Sequence, residues 1–144
     1  FVVNRTAQIL NLHAKSLRNS RVLLLGMAYK PDVDDLRESP GLEVYELFKQ
    51  SGANVDYYDP YAKFFHDQEG NRIESIPYDT RTFTSYDCFV VITNHKAVPY
   101  AELAGLGVTI FDTRNAFKNF DLPHIYKLGT PITQSAYHVE AMSS

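Results

Sequence analysis

The feature that most constrains the fold is a set of short apolar runs, each followed by polar residues. The first is Arg21-Val22-Leu23-Leu24-Leu25-Gly26, which lacks the polar alternation of a strand with one wet face. A run of this kind is typical of a parallel strand that is covered on both faces. Similar runs predict strands at 55–58, 88–92 and 108–111, and a short helix at 100–104 separates the last two.

A longer helix is predicted after the first strand. Ser39-Pro40 is a typical helix start, because Ser caps the first turn and Pro fits the first helical position. This helix is expected to place Val44, Leu47 and Phe48 on one face and to end near Ser51-Gly52. Strands that alternate with helices predict an α/β fold, namely a Rossmann-like, doubly wound and mostly parallel sheet.

The first residues predict a helix that precedes this sheet and ends at Asn19-Ser20. Its apolar residues recur at spacings of four and three: Val3, Ala7, Leu10, Ala14 and Leu17. The chain begins with Phe1 and has no initiator methionine, so we expect it to be a piece of a longer protein that starts at the end of a long helix. The stretches 63–81 and 120–144 have no clear period and are predicted to be irregular.

Composition excludes several classes of function. The 144 residues suit one domain, and a net charge of -3 without a basic stripe argues against nucleic-acid binding. No apolar run approaches the roughly 20 residues of a membrane span. The single cysteine excludes an internal disulfide and fits a reducing cytoplasm. The five histidines show no metal-ligand spacing, so no metal site is predicted.

Polar residues are predicted to converge where the strands end, which is where open parallel sheets bind ligands. Three cations, Lys30, Arg37 and Arg114, fall at this edge and suit an anionic, phosphate-bearing ligand. The alternative is that Arg37 forms only a surface ion-pair cluster with Asp34 and Asp35.

Other candidate residues have plainer interpretations. Cys88 lies in a strand that appears buried, which makes a thiol inert rather than nucleophilic. His95 follows a strand and is expected to be a solvated loop histidine rather than a ligand contact. Ala28 and Lys30 stand where a dinucleotide fingerprint needs glycine and a tight turn, so this domain should not be the main NAD-binding half of a dehydrogenase. Three tyrosines are expected to be packing and rim residues: Tyr57, Tyr58 and Tyr61.

The run from Gly26 to Pro40, GMAYKPDVDDLRESP, resembles the start of the C-terminal domain of nucleotide-sugar 6-dehydrogenases. Three further pieces occur in the family's order: Val55 to Pro60, the strand that ends in Thr93, and Asp112-Thr113-Arg114-Asn115. The Lys-Pro and Asp-Asp-Leu-Arg wording resembles bacterial UDP-N-acetylhexosamine dehydrogenases. This chain has Asn115 after Arg114, whereas the corresponding motif of the animal UDP-glucose enzymes resembles an Arg-Arg pair. The choice of nucleotide sugar therefore stays open.

The resemblance implies a cytoplasmic, NAD-dependent enzyme of polysaccharide biosynthesis, which oxidises the C6 alcohol of a UDP-sugar to a carboxylate through a cysteine thioester. It implies that residues 1–19 are the end of a central helix that builds a homodimer and that 20–144 are the UDP-binding domain. Tyr29, Lys30 and Arg114 are implied to contact the UDP-sugar, and Arg37 to reach the NAD pyrophosphate. The NAD domain and the catalytic cysteine are implied to precede this chain, which alone would be inactive.

Two functions of other classes remain as alternatives. A receiver-type signalling domain would use Asp34 or Asp35 with Asp59 as phosphoacceptor and Thr93 as the switch, although the acidic pair lies far from the strand end. A purely structural dimerisation module would depend on the first helix, and its cationic edge would be incidental.

Overall fold

The computed structural model describes residues 1–28 and 40–128. Its elements, in chain order, are α1 (Val2–Leu12), β1 (Arg21–Leu25), α2 (Pro40–Gln50), β2 (Asn54–Tyr58), β3 (Phe64–His66), β4 (Arg72–Glu74), α3 (Thr80–Phe83), β5 (Cys88–Val91), α4 (Tyr100–Ala104), β6 (Thr109–Asp112) and β7 (Ile125–Lys127).

Within these described ranges, five strands form a parallel sheet in the order β2-β1-β5-β6-β7. The chain moves outward from β1 to β2 and then returns to β5 on the other side of β1. The strand order therefore reverses between β1 and β5, which makes this gap the topological switch point of the sheet. The predicted α/β, Rossmann-like class is confirmed.

Helices cover both faces of the sheet, as the continuous apolar runs predict. Val22 and Leu24 of β1 face a core that also holds residues of α1 and α2, whereas Leu23 and Leu25 face a core with residues of α3 and α4. Adjacent side chains of a strand point to opposite faces, and both faces are covered, so all four side chains are fully buried. The sheet is thus a rigid, doubly covered platform for whatever lies at its edges.

Helix α1 ends earlier than its apolar spacing predicts. The helix stops at Leu12, and Ala14 adopts a left-handed conformation with φ of +58°. The amide of Lys15 then donates to the carbonyl of Leu10 at 3.0 Å, which closes the last turn. Leu17 still packs against the core, but it does so from a turn. The predicted helix end at Asn19-Ser20 is wrong because the chain must turn there to enter β1.

The face of α2 differs from the prediction only in part: Val44 and Phe48 pack against the core as predicted, but Leu47 does not. Its sheet-facing positions are Gly41, Tyr45 and Phe48, at helical spacings of four and three, whereas Leu47 is 39% exposed. The first turn lies very close to β1: a Cβ at position 41 would stand 2.8 Å from the sulfur of Met27. The start at Pro40 is confirmed; Ser39 lies outside the described residues.

The stretch 63–81 is predicted to be irregular, and this is wrong. It contains the antiparallel hairpin β3–β4 and the start of α3. The carboxylate of Asp67 organises the hairpin turn by accepting hydrogen bonds from the amides of Glu69 at 3.0 Å and Asn71 at 2.8 Å. Phe65 anchors the hairpin to the core, with its ring centroid 5.0 Å from that of Tyr45. Each strand turns only one side chain to the core, Phe65 buried and Ile73 partly buried, which is too little to show as a period.

Strand β7 is a further correction, since residues after 120 are predicted to be irregular. Ile125, Tyr126 and Lys127 pair with β6 at the edge of the sheet. Three residues are too few to establish a two-residue period, and the pairing depends on the neighbouring strand. Residues 129–144 lie outside the described residues.

Candidate functional site

The switch point is closed by an unusually tight contact between the ends of β1 and β5. Gly26 has a φ of +89°, and a Cβ built on it would lie 2.6 Å from the Cβ of Thr93 and 2.8 Å from its carbonyl oxygen. The hydroxyl of Thr93 donates to the carbonyl of Ala28 at 2.6 Å. The glycine therefore serves the close contact between two strand ends, because any side chain at this position would meet Thr93.

The carboxylate of Asp59, at the end of β2, joins three strand ends. Its Oδ2 accepts from the amides of Met27 at 2.7 Å and Ala28 at 3.1 Å, and its Oδ1 accepts from the amides of Tyr61 at 2.8 Å and Ala62 at 2.9 Å. The side chain is fully buried. Burial alone would raise the pKa of Asp59, but hydrogen bonds, led by the one from His95, outweigh it and hold the pKa below its usual value.

His95 is the fifth partner of that carboxylate, with its Nε2 2.9 Å from Oδ2 of Asp59. An ionised carboxylate can only accept, so this ring nitrogen carries the proton. The imidazole is fully buried and meets the ring of Tyr61 edge-on at 5.0 Å between centroids. The expectation of a solvated loop histidine is therefore wrong: the side chain turns inward to a partner 36 residues away, which no local spacing reveals.

Arg114 is the one predicted substrate-binding residue that lies within the described part of the chain. Its Nε donates to the carbonyl of Ile92 at 2.9 Å, so its side chain reaches from the end of β6 to the end of β5, beside the switch point. The hydroxyl of the neighbouring Thr113 likewise donates to the carbonyl of Val91. The guanidinium is thus fixed at one nitrogen, at the edge where the sequence predicts an anion.

The turn that carries Arg114 is organised by a second buried carboxylate. Asp112 accepts hydrogen bonds from the amides of Arg114 at 3.0 Å, Ala116 at 3.0 Å and Phe117 at 2.8 Å. Asn115 takes a left-handed conformation, with φ of +59°, which asparagine tolerates better than most residues. The arrangement sets the backbone from which the arginine projects.

A second cation lies near this arginine. Arg114 and Lys127 line the same cavity of about 330 Å³ at the ends of β6 and β7. In the residues that the structure describes, neither side chain has a carboxylate within ion-pair distance. Unpaired cations at the carboxyl edge are suited to an anionic ligand such as a diphosphate.

Three other predicted contacts, Tyr29, Lys30 and Arg37, lie outside the described residues. From the sequence, Asp59 is considered only as a phosphoacceptor and Asp112 only as part of a motif, so the buried roles of both carboxylates are not predicted. Each accepts from amides within the next five residues, which is the pattern of an aspartate that caps its own turn, and Asp59 accepts in addition from Met27 and Ala28.

Cys88 is buried within β5, as predicted, and burial raises the pKa of its thiol to about 12. We expect the native chain to resist alkylation by iodoacetamide at pH 8 for hours, because the thiolate and access are both lacking. Mass spectrometry should show one adduct per chain only after denaturation in urea. Rapid, complete labelling of the native chain would contradict the inert role.

Two features common in other binding proteins are missing from residues 1–28 and 40–128. No helix there is long and apolar enough to cross a membrane. The same residues form no group of three or more His, Cys, Asp or Glu side chains that could hold a metal ion.

The sequence model of one family, described as the UDP binding domain of the UDP-glucose/GDP-mannose dehydrogenases, matches residues 23–119. The chain belongs to this family. The match includes most of β1, the switch point, Asp59, His95 and the turn of Arg114, and it ends before Lys127.

Curated relatives agree with this membership. A UDP-N-acetyl-D-mannosamine dehydrogenase of Methanococcus maripaludis is 28% identical over 111 residues, which are 72% of this chain and 24% of the relative. A UDP-glucose 6-dehydrogenase of Bacillus subtilis is 30% identical over 112 residues, 71% of this chain and 23% of the relative. The chain therefore spans about a quarter of the length of these relatives.

Solved structures of the family share the fold. A UDP-N-acetyl-mannosamine dehydrogenase from Staphylococcus aureus has a TM-score of 0.66 at 27% identity, over 93% of this chain and 30% of that one. A UDP-D-ManNAc dehydrogenase from Pyrococcus horikoshii has a TM-score of 0.72 at 23% identity, over 90% of this chain and 30% of that one.

Proposed function

We propose that this chain binds the diphosphate of a UDP-sugar at the carboxyl edge of its sheet, as the nucleotide-sugar domain of an NAD-dependent 6-dehydrogenase. The observation that carries the proposal is the position of Arg114. Its guanidinium is held beside the switch point by Ile92, and no described carboxylate neutralises it. The family match to a UDP binding domain supports a diphosphate as that anion.

In the proposed reaction, the whole enzyme oxidises the sugar C6 alcohol to a carboxylate, and this chain supplies substrate binding. Tyr29, Lys30 and Arg114 would contact the UDP-sugar. NAD would be held mainly by another domain, with Arg37 reaching its pyrophosphate. This division is supported by the sequence after Gly26, where Ala28 and Lys30 stand in place of the glycine and tight turn of a dinucleotide fingerprint. The sugar is a UDP-N-acetylhexosamine or UDP-glucose, since relatives of both names match.

The division of the chain into 1–19 and 20–144 belongs to the same proposal, with the first part as the end of a central dimerisation helix. The exposed ring of Phe1, directly before α1, supports it, since this residue is 72% exposed, whereas Val2 and Val3 pack partly against the core. The enzyme would act as a homodimer in the cytoplasm, in polysaccharide biosynthesis.

The receiver alternative finds no support in the structure. Asp59 is 1% exposed and its two oxygens accept five hydrogen bonds, so it offers no free oxygen to a phosphodonor. Thr93 is engaged with Ala28.

The test is a calorimetric titration of the chain with UDP. We expect Arg114→Ala to weaken binding by roughly 10- to 150-fold, since a hydrogen bond to a charged group contributes about 1.5–3 kcal/mol. Lys30→Ala should have an effect of similar size for the same reason. Arg81→Ala removes the same charge from an exposed site on α3 and should leave the affinity unchanged. Equal affinities in all four proteins would refute the assignment of the cationic edge.

A further inference from the structure

We propose that Asp59 and His95 are positioning residues for UDP-sugar binding, which fix the backbone that leads directly into Tyr29 and Lys30. The inference rests on the proposed function and assigns a role to two residues that make no contact with ligand themselves. Its basis is a buried set of hydrogen bonds that links the ends of β1, β2 and β5.

The first step concerns the backbone that leaves β1. The amides of Met27 and Ala28 both point to Oδ2 of Asp59, and the carbonyl of Ala28 accepts from Thr93. Both polar groups of the Ala28 backbone are therefore bound by side chains from other strands. The next residue in sequence is Tyr29. These contacts fix the backbone of Met27 and Ala28, the last described residues before Tyr29 and Lys30 in the sequence.

The second step concerns His95. Oδ2 of Asp59 accepts from three donors, two backbone amides and the imidazole Nε2. The imidazole approaches from the loop after β5, so it holds the carboxylate from the side opposite its own strand. Without that donor, the carboxylate would have fewer partners in a site that excludes water, and its orientation toward Met27 and Ala28 would be less restricted.

A buried aspartate with a purely structural role has hydrogen-bond partners only in its own turn and the adjacent element. Asp67 shows what such a role looks like: it is equally buried, and it accepts from the amides of Glu69 and Asn71 and from Lys49. All of its partners lie in the β3–β4 hairpin or on the adjacent α2. Asp59 instead binds the segment next to the predicted substrate contacts, at the sheet's switch point.

The experiment compares UDP affinity with stability in matched variants. Asp59→Asn replaces one accepting oxygen by an N–H donor, and His95→Leu removes the imidazole donor. His95→Gln keeps a donor at the reach of Nε2. Asp67→Asn is the control, because it perturbs an equally buried, turn-capping aspartate in the hairpin. Each protein is titrated with UDP by calorimetry, and urea unfolding gives the folded fraction used to correct the dissociation constant.

We expect Asp59→Asn and His95→Leu to weaken UDP binding at least tenfold after correction, and His95→Gln and Asp67→Asn to stay within twofold of the parent chain. Parent-like affinity in His95→Leu would overturn the inference. If Asp59→Asn does not fold, the contrast between the two His95 variants decides.

A parent chain that does not bind UDP would refute the proposed function, and the positioning role is then judged by amide exchange. The amides of Met27 and Ala28 should exchange at least tenfold faster in His95→Leu than in the parent chain. Equal exchange would overturn the link between His95 and this segment.

Discussion

Gly26→Ala is expected to lower the free energy of unfolding by about 2–5 kcal/mol. An L-residue in a left-handed conformation costs roughly 1–2 kcal/mol, and an extra methyl in a packed site costs roughly 1–3 kcal/mol more. Here the new methyl group would lie 2.6–2.9 Å from the Cβ, the carbonyl oxygen and the backbone nitrogen of Thr93. The end of β1 is also restrained on its other side, because the amide of Gly26 donates to the carbonyl of Tyr58 in β2 at 2.8 Å.

Gly70→Ala separates the two contributions. Gly70 has a similar φ of +84°, but no atom lies within 4 Å of a Cβ built there. Its substitution should cost only the conformational part, about 1–2 kcal/mol. Urea unfolding of both variants measures the difference. Equal losses in the two proteins would mean that the contact between Gly26 and Thr93 is looser than the structure shows.

The sheet could be predicted from sequence because its information is local. Each central strand is a continuous apolar run, and the burial of Val22 to Leu25 follows from the run alone. The end of β6 could be located in the same way, and with it Arg114. What local patterns could not predict is the direction of the arginine, which depends on a carbonyl 22 residues earlier in the chain.

The β3–β4 hairpin, β7 and the buried position of His95 differ from the prediction because each depends on a long-range contact. Phe65 buries the β3–β4 hairpin, and β7 forms because β6 offers it a free edge. His95 was placed in solvent because a histidine in a loop gives no sign of a buried partner. In each case the deciding contact joins residues far apart in sequence, so no window of neighbouring residues contains it.

Asp112 and Asp59 play similar parts, because each buried carboxylate holds the backbone next to a predicted substrate contact. One acts on the segment before Tyr29, and the other acts on the turn of Arg114. The proposed anion site would thus depend on two capped turns that flank β5 and on a cation projected from one of them. Stability and ligand affinity should therefore change together at Asp112, although the residue itself is nearly inaccessible.

Asp112→Ala should lower the free energy of unfolding by about 3–5 kcal/mol and weaken UDP binding at least tenfold. It leaves three amides without their acceptor. An unsatisfied buried donor costs about 1–3 kcal/mol, which applies in full to the amide of Phe117, whereas the amides of Arg114 and Ala116 are only partly buried and should cost about 1 kcal/mol each. Asp112→Asn is the graded control: its remaining oxygen can still accept from Arg114 and Ala116, so only the bond from Phe117 is lost. We expect that variant to lose about 1–3 kcal/mol and to bind UDP almost normally. Urea unfolding and calorimetry check both variants. If the free energy of unfolding of Asp112→Ala lies within about 1 kcal/mol of that of the parent chain, which is roughly a fivefold change in the folding equilibrium, the assigned role is contradicted.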